Sequence, residues 1–136
     1  MGLVRTKITL KNSIDVGKAI EGSLKENEIR QVTVEALVDT GAWTIVINEA
    51  VREKLGLVAT RTGHGRLANG KPEVCDLAGP IEVWWKDRVA NCDAVILPDA
   101  RNVLLGAIPL EAMDLTVNPL KEEVVGAHGD EALYLL

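Results

Sequence analysis

Val32-Thr33-Val34-Glu35-Ala36-Leu37-Val38-Asp39-Thr40-Gly41-Ala42 is the stretch on which the fold turns. Its first part is apolar and β-branched, the composition of a strand. It ends on a carboxylate followed closely by a glycine, which lets other backbone approach. A carboxylate at the end of an apolar strand is costly unless it is hydrogen-bonded or has chemistry to do. Asp followed by Thr-Gly is also good turn chemistry, so from these residues alone Asp39 reads equally well as a turn cap.

Outward from that stretch the chain reads mostly as strands. Leu3 to Leu10 alternates in part and predicts a first strand. Lys11 to Asn27, with its Asn, Ser, Gly and charged residues, reads as a connection with room for a short strand. Within 29–38, Val32, Val34, Ala36 and Val38 share one face, and Trp43-Thr44-Ile45-Val46-Ile47 predicts the next strand. Asn48 to Gly56 predicts a short helix: Asn48 caps its start, Glu49 suits the positive end, and Gly56 suits the stop. Val51 and Leu55 would face the core. Asn69-Gly70 signals a hairpin, and Pro72, which cannot donate to a ladder, makes that hairpin project from the body. Residues 77–85 and 88–97 predict a second hairpin. Val103-Leu104-Leu105-Gly106-Ala107 then echoes Leu37 to Ala42, an apolar strand ending at Gly-Ala before a helix that Pro109 opens. Leu115-Thr116-Val117, Val124-Val125 and residues 133–136 predict closing strands.

The 136 residues suit one domain, and 47% hydrophobic content is enough for a core. With no Phe, one Tyr and three Trp, aliphatic side chains must fill it. A formal charge of −5 without a basic stripe argues against a nucleic-acid partner. A signal-peptide pattern and a bilayer-length apolar run are both missing, so no membrane association and a cytoplasmic location are expected by default. If Trp85-Lys86-Asp87-Arg88 turns a hairpin, Cys92 falls opposite Ile81 and away from Cys75, so two reduced, partly buried thiols are expected. Cys75, Cys92, His64 and His128 are zinc-ligand types, but no pair has zinc-like spacing, and no metal site is expected. An aspartyl-phosphate enzyme is excluded, because Asp39 is followed directly by Thr40 and no phosphate-cradling Gly-Lys-Ser/Thr run exists.

Taken in order, Leu37 to Ala42, Leu55-Gly56-Leu57, Leu67-Ala68-Asn69-Gly70 and Val103 to Ala107 resemble the retropepsin-like aspartic peptidases, specifically a small bacterial branch. Leu110 to Leu115 and Asn118-Pro119 continue the likeness. The resemblance implies a mainly β fold, a closed acid-protease barrel with one or two short helices, working as a homodimer in which each copy supplies one aspartate. It implies a peptidase domain over 1–125 and leaves 126–136 as an extension, compatible with disorder, a dimer strand or a self-blocking tail. Residue by residue, Asp39 matches the catalytic aspartate, Thr40 the threonine that bonds across the dimer, and Gly41 the glycine that leaves room for substrate and water. Ala42 lies at the substrate edge, and Ala68, Asn69 and Gly70 match the flap tip. Gly106 matches the glycine of a loop crossing beside the catalytic turn. The implied activity is endopeptidase hydrolysis of a peptide or protein substrate, without metal or organic cofactor. Val46, Ile81, Val83 and Ile108 become candidate pocket walls.

The chain departs from the family where Trp43 replaces a commonly acidic residue and where the flap has a single Asn-Gly. These departures motivate an alternative, a non-catalytic peptide-binding or scaffolding domain on the same fold. Adjacent Trp84 and Trp85 must point to opposite faces if they lie in a strand. His64 and His128, among glycines and polar residues, read as solvated positions.

Overall fold

A computed structural model describes residues 3–67 and 69–136. In chain order the elements are β1 (Arg5–Asn12), α1 (Ser13–Glu21), a single 3-10 turn, β2 (Gln31–Val38), β3 (Ile45–Ile47), α2 (Glu49–Leu55), β4 (Ala59–Arg66) and β5 (Pro72–Trp85). They continue with β6 (Arg88–Ile96), β7 (Leu104–Leu105), α3 (Ala107–Ala112), β8 (Leu115–Asn118) and β9 (Glu123–Gly126). The protein is mainly β, with one more helix than the resemblance implied.

Strand order in the seven-stranded sheet is β1-β2-β7-β3-β6-β5-β4, and a further pairing of β1 with β5 carries the sheet round into a ring. Only β4 hangs outside the ring, paired to β5 alone. β8 and β9 form a separate two-stranded sheet. Most pairings are antiparallel, but β2 with β7 and β3 with β6 run parallel, so the chain must cross over to reach them. The core is aliphatic, as a chain without Phe requires. Ile8, Leu10, Ile45, Ile47, Leu55 and Leu105 are each under 2% exposed. Burial of such side chains is worth roughly 1.5–3 kcal/mol each, so these six dominate the interior.

Several expectations are corrected. The connection expected over Lys11 to Asn27 contains α1. Asn12 caps that helix by accepting from the Ile14 and Asp15 N–H groups at 3.0 and 3.1 Å, and Gly22 (φ 90°) ends it. Its buried residue is Asp15, which takes two hydrogen bonds from the Arg30 guanidinium at 2.8 and 2.9 Å. That bonding holds the Asp15 carboxyl below its usual range, burial opposing it. Ile14 and Ile20 stay exposed, so no apolar stripe announces the helix. Of the face shared by Val32, Val34, Ala36 and Val38, only Ala36 is fully buried; the valines pack partly against the core. Residues 133–136 form no strand.

Other features follow the local signals. α2 starts at Asn48, whose side chain accepts from Val51 N–H at 3.0 Å, and stops at Gly56 (φ 64°). Cys92 lies opposite Ile81, and both thiols are free. Trp85 enters the core with its indole N–H donated to Thr6 Oγ1 at 2.9 Å, while Trp84 lies on the other face, where Lys11 approaches its ring to 4.9 Å. His64 is exposed on β4, not in a loop. No helix among the described residues is long and apolar enough to cross a membrane.

Candidate active site

Asp39 sits one residue past the end of β2, where the strand leaves the ring. Its backbone N–H donates to the Leu105 carbonyl at 3.0 Å and its carbonyl accepts from Ala42 N–H at 3.0 Å, so both sides of the turn are pinned. The carboxylate accepts one hydrogen bond among the described residues, from Gly41 N–H to Oδ1 at 2.9 Å. The other oxygen faces outward from a half-buried residue. A Cβ on Gly41 would lie 3.2 Å from Oδ1, so the glycine keeps this close approach open. Thr40 and Gly41 are exposed and Ala42 is half-buried.

The second apolar-Gly-Ala segment lies directly against this turn. Leu37 N–H donates to Val103 and β7 pairs with Leu37 and Val38. On the far side, Ala107 N–H donates to the Ala42 carbonyl at 2.9 Å and Ile108 N–H to the Trp43 carbonyl at 3.1 Å. Gly106 is where the two backbones cross. Its φ is −96°, which any residue adopts, so the requirement is steric: a Cβ would collide with the Thr44 carbonyl and sit 2.6 Å from the Ala42 carbonyl. This crossing also explains why β3 begins at Ile45 and not Trp43. The Ala42 and Trp43 carbonyls are spent on the start of α3, which opens at Ala107 with Pro109 inside its first turn.

Thr44 lies behind the turn, 1% exposed, and donates its hydroxyl to the Asp93 carbonyl at 2.9 Å. The Asp93 side chain pairs with Arg61 on β4. Asp93 thus ties the projecting hairpin and the floor of the Asp39 turn to one point on β6. Sequence reasoning missed both Thr44 and Asp93, whose partners lie 49 and 32 residues away. Beside them, burial pushes the Cys92 thiol up, with a hydrogen bond to Thr44 opposing.

At the hairpin tip, Leu67 N–H donates to the Lys71 carbonyl at 2.9 Å, and Asn69 Oδ1 accepts from Lys71 N–H at 2.9 Å. Gly70 takes the left-handed conformation (φ 83°) that glycine tolerates. Asn69 and Gly70 are exposed; Ala68 lies outside the described residues. Of the candidate pocket walls, Ile81 and Val83 are wholly buried, their side chains consumed by the core, and Val46 is 7% exposed. Ile108 remains 38% exposed, next to Trp43 at 57%, so two apolar side chains flank the Asp39 turn.

A family model described as aspartyl protease matches residues 26–108, well over half of the chain. The match includes the Asp39 turn, the hairpin tip and the Gly106 crossing. No curated protein matches the chain.

Proposed function

Because the chain belongs to the aspartyl protease family of the retropepsin-like clan, we propose that it is an aspartic endopeptidase active as a homodimer. The observation that carries this reading is the state of Asp39. Its carboxylate is held rigidly by Gly41 N–H on one oxygen, with the other oxygen turned outward. A structural aspartate has both oxygens used; this one is positioned and half-vacant.

Peptide hydrolysis without a covalent intermediate needs a base to activate water and an acid to protonate the carbonyl oxygen or leaving nitrogen. One carboxylate does not supply both at once. Two Asp39 side chains brought together across a two-fold axis share a single proton, because like charges at that distance do not both ionise. The proton belongs to the pair. Water between them loses a proton to the ionised member as it attacks, and the protonated member donates to the scissile carbonyl. Thr40, exposed next to Asp39, bonds to its counterpart across the axis and holds the two turns in register. Gly41 and Ala42 line the substrate edge, and Asn69 and Gly70, with Ala68, close over an extended peptide and exclude water. The ring of strands reads as the acid-protease barrel, with the peptidase domain over 1–125 and 126–136 laced on as an extension.

The test is cleavage of an unbiased peptide library between roughly pH 4 and 7, a range spanning carboxyl titration. Wild type cleaves and Asp39→Asn does not. Mixing the two lowers activity as the square of the wild-type fraction, because every mixed dimer is dead. A wild-type protein that stays monomeric at high concentration, or linear loss on mixing, overturns the shared dyad. A folded dimer that binds peptides and cleaves none favours the non-catalytic binding domain, a reading that exposed Trp43 supports.

A further inference from the structure

β1 has one edge that its own fold uses only in part. β2 pairs with it from Arg5 to Lys11, but on the other edge β5 reaches only Thr9 to Asn12. Asn12 N–H donates toward Arg30 at the head of β2, and the Val4 carbonyl accepts from Val38 N–H on the same side. By the two-residue period of a strand, even-numbered residues of β1 turn their peptide groups to β2. Arg5 and Lys7 therefore turn theirs to the edge where no strand is paired. β9 is paired on one side only, with β8, and lies alongside β1. Between the two edges runs a groove of about 530 Å³.

The walls of this groove are chemically lopsided. Arg5 and Lys7 stand on β1, and Lys86 lies 4.6 Å over the Trp85 ring at the end of β5. Glu123 is the one acidic side chain lining it, and Trp85 and Val124 add apolar surface. A chain of net charge −5 has thus gathered three cations around an open strand edge.

We propose that this groove is a docking site for an extended segment of another polypeptide that alternates apolar and acidic side chains. The segment adds as a strand to Arg5–Ile8, exchanging backbone hydrogen bonds with Arg5 and Lys7. Its apolar side chains lie on Trp85 and Val124, and its acidic ones meet Lys7 and Lys86. Lysines also guard edges against pairing. A guarded edge refuses every strand, whereas a docking edge accepts one sign of charge and refuses the other.

The experiment needs no catalysis and does not depend on the peptidase reading. A labelled Val-Glu-Val-Glu-Val-Glu peptide is titrated into the Asp39→Asn protein, which removes any cleavage. Saturable binding is expected, with amide shifts at Arg5, Lys7 and Val124. The matching Val-Lys peptide binds at least tenfold more weakly, and a copy N-methylated at alternate residues does not bind. Lys7→Pro removes the edge N–H without touching the β2 ladder and lowers affinity at least tenfold. Lys86→Glu does so through charge alone, which covers the case in which Lys7→Pro misfolds. Absence of binding, equal binding of both charge types, or shifts centred on Gly41 and Asn69 overturns the proposal. So does tighter binding after deletion of 133–136, which identifies the protein's own tail as the occupant.

Discussion

Asp39 and Asp114 each close an apolar run at a corner of the fold, yet they are bonded in opposite ways. Asp114, in the left-handed conformation (φ 54°), is saturated. Its carboxylate accepts from Leu133 N–H at 3.0 Å and meets His128 Nδ1 at 2.8 and 2.9 Å. Its carbonyl accepts from Ala127 N–H at 2.9 Å and from Arg88 at 2.7 Å. Arg88, 5% exposed, also donates to the carbonyls of Met113 at 3.1 Å and Gly129 at 2.7 Å. The segment after β9 is therefore stitched to the body through one aspartate and one arginine. Asp39 has a single bond from its own turn. A carboxylate whose oxygens are all engaged is structural; one held on one side and vacant on the other is placed for chemistry.

Exchanging each acid for its amide should separate the two roles most sharply. Asp39→Asn is expected to lower peptidase activity by about a thousandfold or more, with stability unchanged to about 0.5 kcal/mol, since an amide oxygen still accepts from Gly41 N–H. Asp114→Asn should do the reverse, sparing cleavage while loosening the C-terminal segment, read as faster amide exchange at Leu133. Loss of activity in both, or in neither, breaks the comparison.

Gly106→Ala tests whether the Asp39 corner depends on backbone contact. The new Cβ meets backbone oxygens that belong to β3 and the turn, which cannot swing aside. Destabilisation of about 3 kcal/mol is expected in urea unfolding. A wild-type midpoint would mean the crossing is looser than the hydrogen bonds across it indicate.

Arg88→Met tests the opposite corner, leaving three carbonyls without their donor. A cost of about 2 kcal/mol is expected, with proteolysis at residues 127–136 as the local readout. Resistance of that segment in the variant would assign its order to Asp114 alone.

The smallest effect is an acid titration. Bonds from Leu133 N–H and His128 hold the Asp114 carboxyl below its usual range. A depressed carboxyl contributes stability that is full above its unfolded value, and that contribution is lost as pH falls through the lowered value. The His128 and Leu133 resonances should therefore stay native down to about pH 4 and move below it, the wild type differing there from Asp114→Asn. Movement between pH 5 and 7 would place control elsewhere.

Legibility in the sequence followed the range of the interactions. The strand into Asp39, the capped α2 and the two hairpins were readable because their hydrogen bonds join residues only a few positions apart. α1 was not, although Asn12 and Gly22 mark its ends. Its buried side chain is an aspartate, and its hold on the body is the Asp15–Arg30 pair together with Asn12, which also donates to the Leu55 carbonyl at 2.8 Å. Hydrophobic periodicity carries no trace of such contacts. Ile81 and Val83 were misplaced as pocket walls because alternation says which residues share a face, not whether that face meets core or cleft.

By itself the sequence determined where backbone turns, where helices start and stop, and which motif places the chain among aspartyl proteases, since these depend on neighbouring residues and on their order. Tertiary structure alone decided which aspartate keeps a vacant oxygen, because the groups that saturate Asp114 lie 14 and 19 residues away. It also decided that the sheet returns from β5 to β1 and stops four residues short of covering its edge. Hydrogen-bond saturation and strand exposure are properties of what folds back, and no local pattern carries them.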